Sequence, residues 1–133
     1  MNSEFNNHYE ETMRYYTEDH VWIEVNGDDA VMGITEYIAD ELGEVKFVEL
    51  PEEDGDFIIG DLLGSIEADE NCDIYSPISG TVCAVNENLA DEPDLINEAP
   101  EGEGWFCRFT NFDNTELDDM MSESAYRRYL KTL

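Results

Sequence analysis

Basic residues are scarce in this chain. Lysine and arginine together number six, against 34 aspartates and glutamates, which gives a formal net charge of −28. Such a surface repels nucleic-acid phosphates and anionic lipid headgroups, so we expect neither nucleic acid nor membrane among the partners. The acidic charge has several possible explanations. It can serve solubility or adaptation to high salt, it can be an extreme form of an acidity shared by related proteins, or it can form a face that binds a basic-surfaced protein.

Cysteine is also rare, and its spacing argues against two kinds of site. Cys72, Cys83 and Cys107 form no CxxC pair or zinc-type spacing, and an odd number argues against a full disulfide framework. We therefore expect reduced thiols. Cys83 and Cys107 lie in apolar strand patterns and are expected to pack in the interior. Cys72 is expected at an exposed turn, where neighbouring acids raise the pKa of its thiol.

Long hydrophobic runs are absent. No stretch approaches the roughly 20 apolar residues of a membrane-spanning helix. The opening MNSEFNNHYEE has neither the basic nor the apolar region of a signal peptide, and it is too acidic for a usual transit peptide. The predicted location is the cytoplasm, or an organelle matrix if the source is eukaryotic.

The patterned part of the chain is long enough for one domain. Residues 1–14 are polar and are expected to form a flexible tail, and residues 15–133 to form a single domain. Hydrophobic residues make up 41% of the chain, which argues against global disorder despite the charge. A folded core is therefore expected.

Short strand patterns dominate this domain. Residues 21–25 (VWIEV) and 30–34 (AVMGI) are strand-like and flank a strong turn signal, Asn-Gly-Asp-Asp. EVKFVEL predicts another strand, with Val45, Phe47 and Leu50 either on one side of it or bounding it. Two further strand-rich halves lie in residues 55–86, around a short polar tip. The pattern predicts a mainly β sandwich or barrel.

Helical patterns are few and peripheral. Residues 35–43 predict a helix that Thr35 caps and Gly43 ends. EPDLIN predicts one helical turn. Apolar residues at helical spacing from Asn114 onward predict a C-terminal helix packed outside the β domain.

Three blocks of sequence, taken in order, resemble the H protein of the glycine cleavage system: YYTEDHVWIEV, GITEYIADELGEVKFVELPE and SPISGTVCAVNENLADEPDLINEAPEGEGWF. The resemblance covers about residues 15–131 and implies a lipoyl/biotinyl-type barrel-sandwich hybrid. In this family the scaffold presents a lipoyl-lysine that shuttles an aminomethyl group between a decarboxylase, a methyl-transferring enzyme and a dihydrolipoyl dehydrogenase. The resemblance thus implies lipoate as the cofactor, glycine-cleavage-type enzymes as partners, and no enzymatic activity of the chain itself.

Three departures from the family concern the carried arm. Glu70 occupies the position of the lipoyl lysine, three residues after Glu67, and a carboxylate cannot form the amide that tethers lipoate. The segment between Glu67 and Asp73 is one residue shorter than in the family. His20 and Val21 stand where the family has His-Glu. The resemblance makes His20, Val21 and Asp73 the arm-docking positions of this chain.

Ordinary explanations exist for these residues. Glu70 on an exposed hairpin can be solvated charge, and His20 can be a packed or hydrogen-bonded histidine. Asp69, Glu70 and Asp73 together could suggest a hard-cation site, but no glycine-pivoted loop accompanies them, so no metal is predicted.

The resulting prediction is a non-lipoylated, H-like interaction, scaffold or regulatory module with Glu70 unmodified and no bound cofactor. The alternative is a genuine lipoyl or aminomethyl carrier with an unusual attachment site. Lys46 and Lys131 are the only lysines, and both are expected away from the tip. A third hypothesis, a small acidic enzyme, has no triad, metal constellation or phosphate loop to support it.

Overall fold

The computed structural model describes residues 12–133. The strands of this part are β1 (Thr12–Tyr16), β2 (Val21–Asn26), β3 (Asp29–Ile34), β4 (Phe47–Glu49), β5 (Asp56–Phe57), β6 (Leu62–Glu67), β7 (Cys72–Tyr75), β8 (Gly80–Val85) and β9 (Cys107–Thr110). Its helices are α1 (Glu36–Leu42), α2 (Asn88–Asp91), α3 (Leu95–Glu98), a 3₁₀ helix (Asn114–Asp119) and α4 (Glu123–Leu130). None of these helices has the length and apolarity needed to cross a bilayer.

The strands form two antiparallel sheets that share one core. The larger sheet has the order β1-β2-β3-β9-β8-β5 and the smaller has the order β4-β6-β7. Ile23 and Met32 from the larger sheet lie in the same buried cluster as Ile66 and Ile74 from the smaller one. Burial of these aliphatic side chains is the main source of stability in such a fold. The predicted mainly β architecture with short peripheral helices is confirmed.

The predicted boundary between tail and domain falls inside a strand. β1 begins at Thr12 and pairs with β2 along its whole length, from Thr12 opposite Asn26 to Tyr16 opposite Trp22. Residues 1–11 lie outside the described residues, so a flexible tail there stays a prediction.

Helix α1 forms as its sequence predicts. Thr35 has extended backbone, and its hydroxyl accepts a hydrogen bond from the Ile38 N–H at 3.5 Å. Gly43 ends the helix with a φ of +78°, a conformation that glycine adopts without strain. This end of α1 faces the candidate site.

Two local predictions differ in outcome: Val45 and Phe47 do not share one buried face although Phe47 bounds a strand, and the prediction that Cys83 packs in the interior is wrong. Strand β4 is only three residues long, and its middle residue Val48 is buried while Phe47 is 53% exposed. In β8 Val82 is buried, so Cys83 points to the opposite face and is exposed instead of packed. Cys107 is buried as predicted.

The helical predictions after residue 87 are only partly correct. Helix α3 begins at Leu95, later than EPDLIN predicts, and the short α2 was not predicted. The C-terminal helix is interrupted, because the N–H and carbonyl of Met121 both pair with Tyr16 of β1 at 2.8 Å. Asp113 therefore caps the 3₁₀ helix and Ser122 caps α4.

Helix α4 packs outside the domain, as predicted. Its Tyr126 ring stacks on Tyr16 with centroids 4.8 Å apart and planes 10° apart. Trp22 completes this second buried cluster and donates its indole N–H to the Pro100 carbonyl at 3.0 Å. The aromatic contacts attach the C-terminal segment to β1 and β2.

Candidate functional site

The candidate site is the hairpin between β6 and β7. The two strands pair up to Ile66 and Cys72, and residues 68–71, here called the tip, connect them. Within the tip the Asn71 side-chain oxygen accepts a hydrogen bond from the Ala68 N–H at 3.3 Å. The Glu70 side chain is exposed. Glu70 is thus displayed at the turn where the sequence predicts it.

The tip is bonded to the end of helix α1. The Glu70 N–H donates to the Leu42 carbonyl at 3.0 Å, which satisfies one of the free carbonyls at the helix C-terminus. One Asp69 carboxylate oxygen accepts from the Glu44 N–H at 3.2 Å, and the other lies 3.3 Å from the Lys46 amine. Both contacts lower the pKa of Asp69, and the hydrogen bond from the Glu44 N–H has the larger effect.

Gly43 allows this close approach. A Cβ at position 43 would lie 2.9 Å from the Cβ of Asp69, nearer than side-chain carbons approach each other. The positive φ of Gly43 adds a second penalty for any other residue. Glycine at this position is therefore required by the contact between α1 and the tip as well as by the end of the helix.

Lys46 lies beside the tip, and the expectation that it lies elsewhere is wrong. Its amine forms an exposed ion pair with Asp69, and its backbone N–H donates to the Glu67 carbonyl at 2.8 Å. The pairing of β4 with β6 brings residues about twenty positions apart in sequence into contact. Sequence distance alone gave no signal of this proximity.

The three residues predicted from the family resemblance as arm-docking positions do not line one common pocket. Val21 lines a surface cavity of about 470 Å³, whose other lining residues are Thr17, Asp19, Ile59, Gly60, Tyr75, Ser76, Pro77, Glu116, Asp119 and Met120. Asp73 is exposed and lines a separate groove of about 300 Å³ with Glu49 and Leu62. His20 lines neither of these two cavities.

His20 instead belongs to a hydrogen-bond network that the sequence did not reveal. Its Nδ1 lies 2.8 Å from the Tyr126 hydroxyl, which lies 2.8 Å from the hydroxyl of the fully buried Thr35. The Tyr37 ring packs against the imidazole at 4.8 Å. Burial lowers the pKa of His20, because desolvation disfavours the imidazolium. We call Thr35, His20 and Tyr126 the Tyr126 network.

Other chemistry near the site is limited. Cys72 is half-buried, and burial together with Asp73 and Asp19 raises the pKa of its thiol, which opposes reactivity. Among residues 12–133 no three side chains of metal-ligand type are grouped closely enough to hold an ion. Asp69, the central residue of the acidic tip, is bonded to Lys46 and Glu44.

Comparison with known proteins points to one family. A family model described as Glycine cleavage H-protein matches residues 14–133. An H-protein relative from Haloarcula marismortui is 48% identical over 113 residues, which cover 84% of this chain and 89% of the relative. The Glycine cleavage system H protein of Magnetococcus marinus is 42% identical over 119 residues, covering 89% and 85% of the two chains. A crystal structure of a glycine cleavage system H protein from Mycobacterium marinum matches with a TM-score of 0.80 at 28% identity, covering 89% of this chain and 96% of that one.

Proposed function

Because this chain belongs to the glycine cleavage H-protein family, whose members are carrier proteins and not enzymes, we propose that it acts as an H-like interaction module without a lipoyl group. The observation that carries the proposal is the identity of Glu70 at the exposed tip. Attachment of lipoate requires a primary amine, and Glu70 offers a carboxylate. The residues of the tip therefore do not fit the cofactor that the family implies.

The contacts of the tip support the same proposal. Asp69 is used to hold the tip against α1 through Glu44 and Lys46. Val21, an apolar residue, lines the cavity where the family pattern would place a glutamate. Asp69, the neighbour of Glu70, and Val21 thus have side chains that serve contacts within the fold, because Val21 also packs in the buried core, while the two-sheet scaffold is kept. A scaffold or regulatory role needs only that retained surface.

One observation favours the alternative of a carrier with an unusual attachment site. The Lys46 amine is exposed and lies 3.3 Å from an Asp69 oxygen, so a primary amine is present beside the tip. It differs from the family's lysine in two ways. Lys46 directly precedes β4, which pairs with β6, and does not occupy the turn itself. Its amine is also paired with the Asp69 carboxylate. We therefore keep Lys46 as the residue that a test must include.

Intact mass spectrometry tests the proposal. The chain is co-expressed with a lipoate ligase in medium containing lipoate, and a conventional H protein is expressed in the same cells as the positive control. We expect the conventional protein to gain a lipoyl group and this chain to keep its unmodified mass. A lipoyl adduct on this chain would contradict the proposal.

Two matched variants locate any adduct. Lys46→Arg and Lys131→Arg both keep the positive charge and remove the primary amine that a ligase could acylate. If an adduct forms and only Lys46→Arg abolishes it, the chain is a carrier that uses the amine beside the tip. Loss of the adduct in Lys131→Arg alone would place the attachment at the C-terminus, far along the chain from β6 and β7.

The proposed partners are glycine-cleavage-type enzymes with basic surfaces. Only four ion pairs are formed among residues 12–133, so most of the carboxylates in this part of the chain have no cationic partner within it. Such a surface speeds encounter with a positively charged protein. The proposed location is the cytoplasm or an organelle matrix; one relative is named as mitochondrial.

A further inference from the structure

Four large apolar side chains are exposed at the end of the smaller sheet remote from the tip and in the turn that leads into it. Ile58 is 66% exposed, Ile59 49%, Leu62 57% and Tyr75 48%. Leu62 and Tyr75 are direct cross-strand partners in β6 and β7, and Ile59 and Tyr75 line the same cavity. We call these four residues the apolar patch.

The exposure of the patch is fixed by backbone hydrogen bonds. The Ile58 N–H donates to the Asp61 carboxylate at 2.8 Å, and the Asp61 N–H donates back to the Ile58 carbonyl at 2.9 Å. The Ile59 N–H donates to the Ser79 hydroxyl at 2.9 Å. The turn that presents both isoleucines is thus closed and satisfied. Its two isoleucine side chains are therefore held in water.

Carboxylates surround the patch. Asp19, Glu116 and Asp119 line the cavity on one side of it, and Glu49 and Asp73 line the groove on the other. Neither lining includes a lysine or arginine. Among residues 12–133 the ion pairs are made by Glu24, Glu101, Asp69 and Glu123, none of which lies in this rim. Glu116 accepts hydrogen bonds from the Ser79 N–H at 2.6 Å and the Ser79 hydroxyl at 2.8 Å, so the rim charge available to a partner is that of Asp19, Asp119, Glu49 and Asp73.

An exposed apolar centre with a polar rim is the arrangement of a protein interface. A second copy of this chain is a poor occupant, because pairing two identical patches would bring carboxylates against carboxylates between chains of net charge −28. The complementary surface has an apolar projection surrounded by lysine and arginine.

We propose that the apolar patch is the docking surface of this module for a protein partner with an apolar centre and a basic rim. The inference rests on the proposed function as an interaction module, and it does not depend on whether the tip is lipoylated. It assigns the affinity to Ile58, Ile59, Leu62 and Tyr75, and the orientation and encounter rate to the surrounding carboxylates.

Binding to purified enzymes tests the patch. The probes are the glycine-cleavage decarboxylase, aminomethyl-transferring enzyme and dihydrolipoyl dehydrogenase, each titrated with the full chain by biolayer interferometry. We expect at least one probe to bind the wild type. The double variant Leu62→Ser/Tyr75→Ser should raise the Kd of that probe at least about tenfold, since truncating central apolar residues removes most of the affinity of an interface. Met13→Ser is the matched control, because Met13 is an apolar residue that is 52% exposed. It lies on β1, at the edge of the larger sheet opposite to β5, the strand that precedes Ile58.

Circular dichroism establishes that the variants are folded. Should the double variant unfold, Ile58→Ser replaces it, because Ile58 lies outside the strands and is the most exposed member of the patch. We expect Ile58→Ser to weaken binding while Met13→Ser leaves it within twofold of the wild type.

The rim is tested separately with Asp73→Asn/Asp119→Asn. This variant should bind more weakly than the wild type at low salt and equally at about 0.5 M salt, where exposed charges are screened. Tighter binding of this variant would overturn the assignment of a basic partner.

The outcomes distinguish the inference from the proposed function. A probe that binds the wild type and the patch variants equally would overturn the patch and leave the interaction module standing. Binding of none of the three probes would overturn both. Sedimentation velocity tests whether a second copy of the chain occupies the patch. A wild-type dimer that becomes a monomer in Leu62→Ser/Tyr75→Ser would show that it does, and this result would overturn the inference.

Discussion

Two polar contacts join distant parts of this chain, and they differ in their access to water. At the tip, Asp69 bonds to Glu44 and Lys46 with its side chain mostly in solvent. In the Tyr126 network, the Tyr126 hydroxyl lies between His20 and the fully buried Thr35. A hydrogen bond lost in the interior leaves an unsatisfied group, whereas one lost at the surface is replaced by water.

This difference in burial predicts that the Tyr126 network contributes more to the stability of the domain than the contacts of the tip do. We expect the tip to tolerate rebuilding without unfolding of the domain, because Asp69, Glu70 and Asn71 are exposed and the tip lies at one end of a hairpin. The Tyr126 network attaches the C-terminal helix to His20 and Thr35, the residues that directly precede β2 and α1, so its loss is expected to destabilise the whole domain. Such an arrangement allows the acceptor position to change while the scaffold stays intact.

Tyr126→Phe gives the largest expected effect on stability. It removes the hydroxyl that bonds to Thr35 and His20 and keeps the ring that stacks on Tyr16. We expect the free energy of unfolding to fall by about 1–3 kcal/mol, because the buried Thr35 hydroxyl loses its 2.8 Å partner and keeps only the longer bond from the Ile38 N–H. Urea denaturation measures the change. Tyr129→Phe, on the same helix face but outside the network, is the control and should change little; equal losses in the two variants would show that the hydroxyl has no special role.

Lowering the pH gives a smaller effect on the same network. The folded protein lowers the pKa of His20 below its ordinary value of 6.5, so the neutral ring stabilises the fold above that pH. This contribution is lost as the pH falls from about 6.5 through the lowered pKa, because the unfolded chain binds the proton first. Against His20→Gln, which does not titrate, the wild type should lose relative stability between about pH 7 and 5. Parallel stability curves for the two proteins would contradict the pKa assignment.

Asp69→Asn gives the smallest expected effect. The amide oxygen still accepts the Glu44 N–H, and the ion pair to Lys46 that disappears is exposed. We expect the urea midpoint to stay at the wild-type value within error. A loss comparable to that of Tyr126→Phe would erase the contrast between the two contacts and make the tip part of the folding core.

Much of the fold could be predicted from local sequence. Thr35 and Gly43 mark the ends of α1 because capping and positive φ are properties of single residues. The break in the C-terminal helix could not be predicted, since it depends on Met121 pairing with Tyr16 on the far strand β1. Tertiary hydrogen bonds there override the helical periodicity.

The candidate site was likewise predictable only where local sequence determines it. The position of Glu70 at a hairpin turn follows from the strand patterns on either side of it. The presence of Lys46 beside Asp69 depends on the pairing of β4 with β6, and the bonding of His20 to Tyr126 joins residues 106 positions apart. Contacts of this range leave no periodic signal in the sequence.

The central claim is that the carrier scaffold is intact and its attachment point at the tip is lost. The most direct measurement compares lipoylation yields, by intact mass spectrometry, of three proteins co-expressed with a lipoate ligase: the wild type, Glu70→Lys, and a graft that replaces residues 68–72 with a family-type tip one residue longer. We predict no adduct on the wild type, a low yield for Glu70→Lys, because a hairpin one residue short turns its side chain to another face, and a high yield for the graft. A lipoyl adduct on the wild type, or a folded graft that stays unmodified, would contradict the account.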